Sequence, residues 1–448
     1  MTGSETTPDG AWEGAAAFVA TGDVSDPRAR THARLLLADA LSLALAADTV
    51  PGAPALFELG VGTGAHRAWY GGHRLGAADA VFANAAAVCA RFQDDTDMSS
   101  WAHPGSFVPP AAVAGAVEAG STFGELVDGL VAGYALTVWL GGGGEMPIGM
   151  MARGHRPSPT FGPAGAAAAA SRAMGLDPAR TQHALSGALL VGRGSLHSVG
   201  AGGEDWRLHN PSAARDGFLY ALAARAGMTA GPGALDARFG FVTMFGGLDE
   251  LPAAMAQPPD ARQILEVWMK ALPTLGDNMA VALAARELHE RKVTPDGAVH
   301  VRMNEHFANF PGTQTRPPYG SLTSALSSVR FVTAQLLLRG TLTFEDYARR
   351  DDPEVVALAD RIEVTADPDL DFRDGVVTVE TSTGAHTVRA SELPQTLYFR
   401  DQEEQSNVSA ELHGAAGRRL VEQVMAASDD ETAAEVVERA LAESDNGV

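Results

Sequence analysis

Residues 161–190 read FGPAGAAAAASRAMGLDPARTQHALSGALL, and this stretch decides the fold class. Its two alanine-rich halves predict two helices that pair as a hairpin. Because alanine is small, such helices can approach each other closely. The stretch therefore predicts a dense helical bundle with small residues between its layers.

The same helical pattern extends outward, to about residue 25 on one side and about residue 265 on the other. Apolar residues recur every three to four positions in the segment after Pro27. Thr122 and Glu125 have the spacing of a capping box at the start of another helix. A further helix begins near residue 210 and is stopped by Gly227. This half of the chain is predicted to be nearly all α.

The period of the sequence changes after residue 265. AVHVRM at residues 298–303 and DRIEVTAD at residues 360–367 alternate apolar and polar side chains, which predicts strands. GVVTVETSTGAHTVRA at residues 375–390 predicts a hairpin that turns near Gly384. From about residue 405 the chain returns to helix. Three or four strands with helices on one face indicate a small α+β unit.

The predicted fold class is therefore mainly α, with a large all-helical domain and a smaller inserted α+β domain. The helical domain comprises residues 1–266 and is completed by the C-terminal helices of residues 403–448. The α+β domain comprises residues 267–402 and forms a second lobe.

The charge balance excludes one class of partner. The formal net charge is −22, from 55 acidic and 33 basic side chains, without a block of Lys or Arg. A nucleic-acid backbone or an anionic membrane surface would be repelled by this charge. The first residues, MTGSETTPDGAW, lack the charged and apolar pattern of a secretory leader, and we expect no membrane helix because no apolar run has the ~20 residues that one needs. We expect a cytoplasmic protein with no nucleic-acid or membrane partner.

Cysteine and lysine are both rare. The single cysteine, Cys89, excludes an internal disulfide and a multi-thiolate metal site. Only Lys270 and Lys292 are lysines among the 33 basic residues. A lysine can lose its proton when it is desolvated, whereas arginine keeps its charge. Lys270 has apolar neighbours in EVWMKALPTLG, so it is the lysine for which we predict a function.

Three loops between helices share a composition that suits acid–base chemistry. They are FQDDTDMSSWAHPGSFVPP at residues 92–110, MPIGMMARGHRPSPTFG at residues 146–162 and GGEDWRLHNPS at residues 202–212. Each contains one histidine beside a helix boundary: His103, His155 and His209. Histidine exchanges protons near neutral pH, and loops held by rigid helices commonly carry catalytic groups. Sequence motifs for nucleotide, zinc-protease and serine-hydrolase sites are absent.

These loops, together with RFGFVTMFGG and WMKALPTLGDNMAVALAAREL, resemble the MmgE/PrpD family in order and spacing over roughly residues 15–425. That family includes 2-methylcitrate dehydratase, cis-aconitate decarboxylase and iminodisuccinate epimerase. The resemblance implies a helical domain, a smaller α+β lid domain and a homodimer. It also implies chemistry without a metal or cofactor, in which a proton is moved next to a carboxylate or carbonyl group.

Four residues match the functional positions of the family. His103 falls on its loop histidine, His155 on its second histidine and Lys270 on the lysine of its K-x-x-P motif. Thr96, at the end of DDT, matches its threonine. The resemblance thus implies that His103 and His155 act as acid and base, and that Lys270 holds a substrate oxygen.

Other family positions carry different residues here. Phe92 stands where the family has an acid, although Asp94 or Asp95 can take that place after a small shift. Trp206, followed by Arg207, stands where the family has a lysine. Leu275 replaces a histidine or small polar residue, and a lid tyrosine falls near Thr313.

These departures predict a larger and less charged substrate than the family's small tricarboxylates. Trp206, Leu275, Phe92 and a methionine cluster would make the pocket more apolar. An arginine fork matches one carboxylate, and the candidates are Arg153, Arg156, Arg207 and Arg316. The predicted substrate-binding set is Thr96, Arg153, Trp206, Arg207, His209 and Arg316.

The first functional hypothesis is a lyase that needs no metal or cofactor, most of all a dehydratase-type enzyme of specialised metabolism whose partner is a small-molecule carboxylate or carbonyl substrate. His103 or His155 would remove the proton, and the other histidine would protonate the leaving hydroxyl. Asp94 and Asp95 would orient a histidine or serve as the base. One alternative is an epimerase, isomerase or cyclase that uses the same groups. A second alternative is a catalytically inactive binding relic.

Overall fold

The computed structural model describes residues 10–49, 61–394 and 400–445 and is mostly helical. We number its helices and strands in chain order. The α-helices are α1 Gly10–Thr21, α2 Pro27–Leu45, α3 Ala77–Cys89, α4 Val108–Ala119, α5 Phe123–Leu140, α6 Glu145–Ala152, α7 Pro157–Ala173, α8 Pro178–Leu189, α9 His197–Gly200, α10 His209–Arg225, α11 Met279–Glu290, α12 Glu305–Ala308, α13 Leu322–Ser327, α14 Val329–Arg339, α15 Pro353–Arg361, α16 Gln402–His413, α17 Ala415–Ala426 and α18 Ala433–Asp445. The strands are β1 Val61–Arg67, β2 Arg74–Leu75, β3 Val299–Asn304, β4 Ile362–Asp367, β5 Gly375–Thr381 and β6 Gly384–Arg389.

Helix α7, which contains most of the alanine-rich stretch, lies at the centre of the bundle. All of its residues except Arg172 are buried, and α4, α5 and α10 pack around it. Small residues make this packing possible: a Cβ at Gly129 on α5 would lie 2.8 Å from the carbonyl oxygen of Ala169. The predicted helical hairpin of α7 and α8 is confirmed. Close packing by small side chains fixes how the loops at the ends of these helices meet.

The N-terminal half is not all-helical, so that part of the prediction was wrong. Strand β2 pairs antiparallel with the end of β1, through Arg67 opposite Arg74, and α3 begins shortly after β2. The segment around β2 is short and rich in glycine. It lacks the alternation of apolar and polar side chains that identifies longer strands. The capping box of Thr122 and Glu125 is present at the start of α5.

The C-terminal half contains a four-stranded sheet of order β4-β3-β5-β6. Strands β3 and β4 are parallel, with Val301 opposite Val364, and the other two pairs are antiparallel. The predicted strands and the hairpin before Gly384 are confirmed. Helix α11 packs on β5 and β6, and α14 packs on α11. The domain boundaries at residues 266 and 402, and the role of this half as a lid, stay predictions.

One helical stretch, Phe123–Ala152, is long and apolar enough to cross a membrane, which the sequence-based prediction overlooked. Of its 18 most apolar consecutive residues, 83% are buried inside the bundle, where α5 packs on α7. A buried core helix of this kind passes the same test of length and composition. The cytoplasmic location stays a prediction from the sequence.

Candidate active site

The loop between α3 and α4 folds back into the protein and forms one wall of a cleft. Phe92 and Trp101 have positive φ angles of 59° and 51°, which is uncommon for residues that carry a Cβ. Thr96 pairs with Trp268 through two backbone hydrogen bonds of 2.8 and 2.9 Å. Asp97 accepts hydrogen bonds from the backbone of Ser99 and Ser100. The loop is therefore held in one shape by its own hydrogen bonds and by residue 268.

His103 lies at the end of this loop with one ring nitrogen committed. Its Nδ1 is 2.9 Å from the carbonyl oxygen of Asp95, which can only accept, so Nδ1 carries the proton. Nε2 then has a free lone pair, and it makes no hydrogen bond to any described residue. Burial, with the positive charges of Lys270 and Arg156, holds the pKa of His103 well below its usual value. His103 is thus a neutral imidazole with Nε2 ready to accept a proton.

Asp95 lies behind His103 and holds its ring in place. Its carboxylate accepts a hydrogen bond from the backbone N–H of Gly105 at 2.6 Å and another from the Tyr134 hydroxyl at 2.7 Å. Its carbonyl oxygen holds the His103 ring. Burial raises the pKa of Asp95 well above its usual value. Because both oxygens are occupied, this residue positions His103.

Lys270 is completely buried behind the cleft wall. Its Nζ donates to the carbonyl oxygens of Phe92 at 2.7 Å and Thr274 at 3.2 Å, and it lies 3.8 Å from Oδ1 of Asp94. Burial lowers the pKa of Lys270 to about 8, although the charge of Asp94 opposes this shift. Oδ2 of Asp94 is buried without a hydrogen bond. Lys270 therefore ties the His103 loop to the segment that leads into α11.

The cleft lies between this loop, the start of α7 and two segments of the C-terminal half. Its cavity volume is about 40 Å³, and it is partly open to solvent. Its lining is mostly apolar, with a few polar groups: Phe92, Thr96, Met98, Trp101, His103, Met151, Arg156, Pro157, Ser158, Val199, Leu275, Gly276, Asp277, Phe307 and Phe310. A few convergent polar groups in an apolar cleft are typical of a small-molecule site.

Arg156 is the only arginine that lines this cleft among the described residues. It is 5% exposed, and its Nη1 donates to the carbonyl oxygen of Trp206 at 3.0 Å. Its guanidinium lies 5.8 Å from the ring centre of Phe92 and 5.7 Å from that of Trp206. Aromatic faces attract a cation, so these rings hold the guanidinium in place. The remaining N–H groups of the fork are available to a carboxylate.

Several predicted catalytic groups do not line the cleft. His155 is half-buried, its backbone bridges to Ser195 and its ring packs edge-on against Phe245 at 5.4 Å. Asp94, Asp95 and Lys270 lie behind the wall. Of the five, only His103 faces the cleft, because the backbone turn at residues 153–156 directs Arg156 inward and His155 toward Phe245.

The predicted binding residues are also divided. Thr96 lines the cleft, and Trp206 lies one layer behind it, with its ring 4.5 Å from Phe92. Arg207 stacks on the ring of Trp206 and donates to the carbonyl oxygen of Ala90.

The remaining three lie elsewhere. His209 lies 3.7 Å from Asp205, and Arg153 is exposed and donates to the carbonyl oxygen of Gly246. Arg316 is exposed and pairs with Asp360. Sequence spacing places these arginines in the right segments, but the direction of each side chain depends on packing.

Three polar residues of the site were not singled out from the sequence. Asp277 and Ser158 line the cleft, and Tyr134 donates to Asp95 from the middle of α5. Asp277 had one signal, because it is the only acid in the apolar run after Lys270. Ser158 accepts a hydrogen bond from the backbone N–H of His103 at 3.1 Å. Nothing in the local sequence distinguishes Tyr134 from a core tyrosine.

Groups that could hold a metal are absent from the residues that the structure describes. No cluster of three or more His, Cys, Asp or Glu side chains occurs in that part of the chain. Cys89 is buried, and burial raises its pKa to about 12, so its thiol stays protonated. We assign no ligand or nucleophile role to it.

Comparison with known proteins gives two family matches and one relative. The model of the MmgE/PrpD N-terminal domain matches residues 13–254, and that of the MmgE/PrpD C-terminal domain matches residues 279–439. The cis-aconitate decarboxylase-like protein oryM of Aspergillus oryzae is 32% identical over 179 residues. That alignment covers 38% of this chain and 37% of the relative, so it spans well under half of either.

Proposed function

The chain belongs to the MmgE/PrpD family, and on this premise we propose that it is a lyase that needs no metal or redox cofactor. The reaction is an acid–base elimination next to a carboxylate or carbonyl group. The family includes dehydratases and decarboxylases, and one relative is described as cis-aconitate decarboxylase-like. Loss of water is the form of the reaction that we favour.

The observation that carries this proposal is the geometry of His103. A histidine whose Nδ1–H is bound and whose Nε2 is free has the geometry of a general base, and its lowered pKa keeps the ring neutral. It shares the cleft with Arg156, a buried cation suited to a carboxylate. A binding relic would have no need to keep this arrangement.

The steps follow from these two groups. The substrate carboxylate or carbonyl binds the guanidinium of Arg156. Nε2 of His103 removes the proton from the adjacent carbon, and Arg156 stabilises the negative charge that develops on the substrate oxygen. The electron pair then forms a carbon–carbon double bond as the hydroxyl on the next carbon leaves with a proton, as water.

The apolar lining supports a less charged substrate than a tricarboxylate. Met98, Trp101, Leu275, Phe307 and Phe310 surround the space beyond the polar groups. One arginine provides one carboxylate site, and a second or third carboxylate would face these apolar side chains without a partner. Burying an unpaired charge costs several kcal/mol. We therefore propose a substrate with one carboxylate or carbonyl group and an apolar body.

Arg156→Gln is expected to lower kcat/KM by about 100-fold, because truncating one partner of a buried charge pair costs about 2–5 kcal/mol. Most of the loss should appear in KM, since the carboxylate is bound in the ground state as well. Arg156→Lys keeps the charge but lacks the planar fork, so its kcat/KM should lie between those of the parent and Arg156→Gln. The matched control is Arg291→Gln at the exposed end of α11. Equal KM values for Arg156→Gln and the parent would contradict the assignment.

We also propose that the protein is a homodimer. Several large apolar side chains are exposed between the end of α8 and residue 244: Leu190, Leu208, Leu219, Met228, Phe239 and Met244. Leu190 and Phe239 line one surface groove. Exposed apolar side chains that share a groove are typical of an association surface, and a second copy is the occupant that a closed symmetric dimer supplies.

Light scattering at micromolar concentration is expected to give twice the chain mass of 46.5 kDa. Phe239, 71% exposed, is the residue to change, and Phe239→Glu should shift the equilibrium toward the monomer. A parent protein that scatters as a single chain would refute the dimer.

The product mass tests the function and separates it from its alternatives. The protein is incubated with a panel of 3-hydroxy, 3-oxo and 2,3-unsaturated monocarboxylic acids with alkyl or phenyl substituents, and with citrate-like tricarboxylates. A product lighter by 18 or 44 Da supports a lyase. A product of unchanged mass supports the epimerase, isomerase or cyclase alternative. Turnover confined to the tricarboxylates would refute the proposed substrate class.

A further inference from the structure

We propose that Asp277 is the general acid of this site, which protonates the leaving hydroxyl while His103 removes the proton from carbon. The inference rests on the proposed function and adds a catalytic residue to it. It also replaces the sequence-based pair of two histidines with a histidine and a carboxylic acid that line the same cleft.

The first support is position. Asp277 lies in the turn Gly276–Asn278 that leads into α11, in the C-terminal half, whereas His103 belongs to the loop of the N-terminal half. Both side chains line the same cleft. An acid and a base that line one cleft can act on neighbouring atoms of one bound substrate.

The turn is rigid around Asp277. The side-chain nitrogen of Asn278 donates to the hydroxyl of Thr274 at 3.1 Å and to the carbonyl oxygen of Ser327 at 3.0 Å. Thr274 in turn donates to the carbonyl oxygen of Leu326 at 2.9 Å. A Cβ at Gly276 would touch Thr96 at 3.3 Å, so the turn packs directly on the His103 loop. Catalytic groups need such a fixed backbone.

The Asp277 carboxyl is not used in a structural contact. Apart from its own backbone N–H, it has no hydrogen bond or ion pair with any described residue. Asp94 and Asp95, the other two acids near Lys270, lie behind the wall, and both oxygens of Asp95 accept hydrogen bonds. Among these three acids only Asp277 lines the cleft.

The chemistry of the carboxyl suits the role. Burial raises the pKa of Asp277 to about 7, and the charge of Lys270 and its own N–H limit the rise. The low pKa of His103 keeps that residue neutral at the same pH. Two titratable groups whose pKa values are displaced in opposite directions can serve as acid and base at once.

The protons balance in one turnover. Nε2 of His103 takes the proton from carbon, and the C–H electron pair becomes the new double bond. The C–O bond breaks, and its oxygen leaves with the proton of Asp277 as water. His103 is left protonated and Asp277 ionised, and both return to their starting forms by exchange with solvent.

The test separates proton removal from water loss in heavy water. The probes are 3-hydroxy-3-phenylpropanoate and its 3-fluoro analogue, which share one carboxylate and an apolar body. In Asp277→Asn, water loss is expected to fall at least 100-fold, whereas exchange of the hydrogen at carbon 2 for deuterium stays within about threefold. Fluoride leaves without a proton, so loss of fluoride should also stay within about threefold. His103→Gln should lose all three activities.

The pH profile gives a second readout. Loss of water by the parent should decline above about pH 7 as Asp277 ionises, and this limb should be absent from loss of fluoride. Lys270, Asp94, Arg156 and His103 are the other charged or titratable groups around the turn and the cleft, and they are common to both probes. A difference between the pH profiles of water loss and fluoride loss therefore reports the ionisation of the Asp277 carboxyl.

Three results would overturn the assignment. Normal water loss in Asp277→Asn would show that Asp277 is not the general acid. If hydrogen exchange and water loss fell equally in Asp277→Asn, the residue would have a structural role only. In both cases turnover by the parent that His103→Gln abolishes would leave the proposed function standing. A parent protein that neither exchanges nor eliminates either probe would overturn the function and this assignment together.

Discussion

His103→Gln is expected to lower kcat by about 10²–10⁴-fold, the contribution of a positioned general base. Glutamine can still approach the carbonyl oxygen of Asp95 and fill the space, but it has no basic nitrogen at the position of Nε2. The melting temperature should change little because the ring is only half-buried and makes one side-chain hydrogen bond. Steady-state kinetics with the best acid of the panel measures the effect.

Two other histidine variants make this result specific. His386 is exposed on β6, so His386→Gln is the matched control and should keep the activity of the parent. His155→Gln distinguishes the cleft geometry from the sequence-based pair of histidines, because its ring packs on Phe245. A loss in His155→Gln as large as that in His103→Gln would favour the pair and contradict the cleft geometry.

Lys270→Arg is expected to lower kcat/KM by about 100-fold although the charge is kept. The buried ammonium donates to two carbonyl oxygens, and the longer planar guanidinium would displace the loop that carries His103. A displacement of about 1 Å can cost on the order of 100-fold in rate. Lys270 thus acts as a positioning residue, and the original expectation that it holds a substrate oxygen gains no support from the geometry.

Lys270→Met removes the charge at similar volume. It leaves the carbonyl oxygens and Asp94 without their cation, which should destabilise the fold by about 3–5 kcal/mol. The control is Lys292→Arg, at an exposed position after α11, which should change neither rate nor melting temperature. Unchanged turnover in Lys270→Arg would remove the positioning role. A large fall in melting temperature with normal turnover in both variants would assign the residue to packing.

The sequence predicts those parts of the fold that local pattern controls. Alanine spacing identifies α7 and α8, and alternation identifies β3 to β6, because the period of apolar residues reflects which face is buried. Strand β2 has two residues, too few for a period, and its pairing with β1 depends on contacts distant in sequence. The length and type of an element therefore decide whether it can be recognised.

The site divides in a similar way. Family spacing placed His103 in the correct loop, and the composition of that loop agreed. Family spacing does not give the direction of a side chain at a turn. At the turn of residues 153–156 it is Arg156 that lines the cleft, whereas the neighbouring His155 packs on Phe245. Nor could family spacing identify Asp277, whose role depends on burial and on a turn packed against Thr96 from the other half of the chain.

The most direct test of a lyase with His103 as its base is the mass of the product formed by the parent and by His103→Gln under identical conditions. Both proteins are incubated with the panel of acids in heavy water, and the products are resolved by mass spectrometry. The parent is expected to form a product 18 Da lighter than a 3-hydroxy monoacid, or 44 Da lighter if carbon dioxide is lost. His103→Gln should form at least 100-fold less of it. Equal amounts from both proteins, or products of unchanged mass alone, would contradict the account.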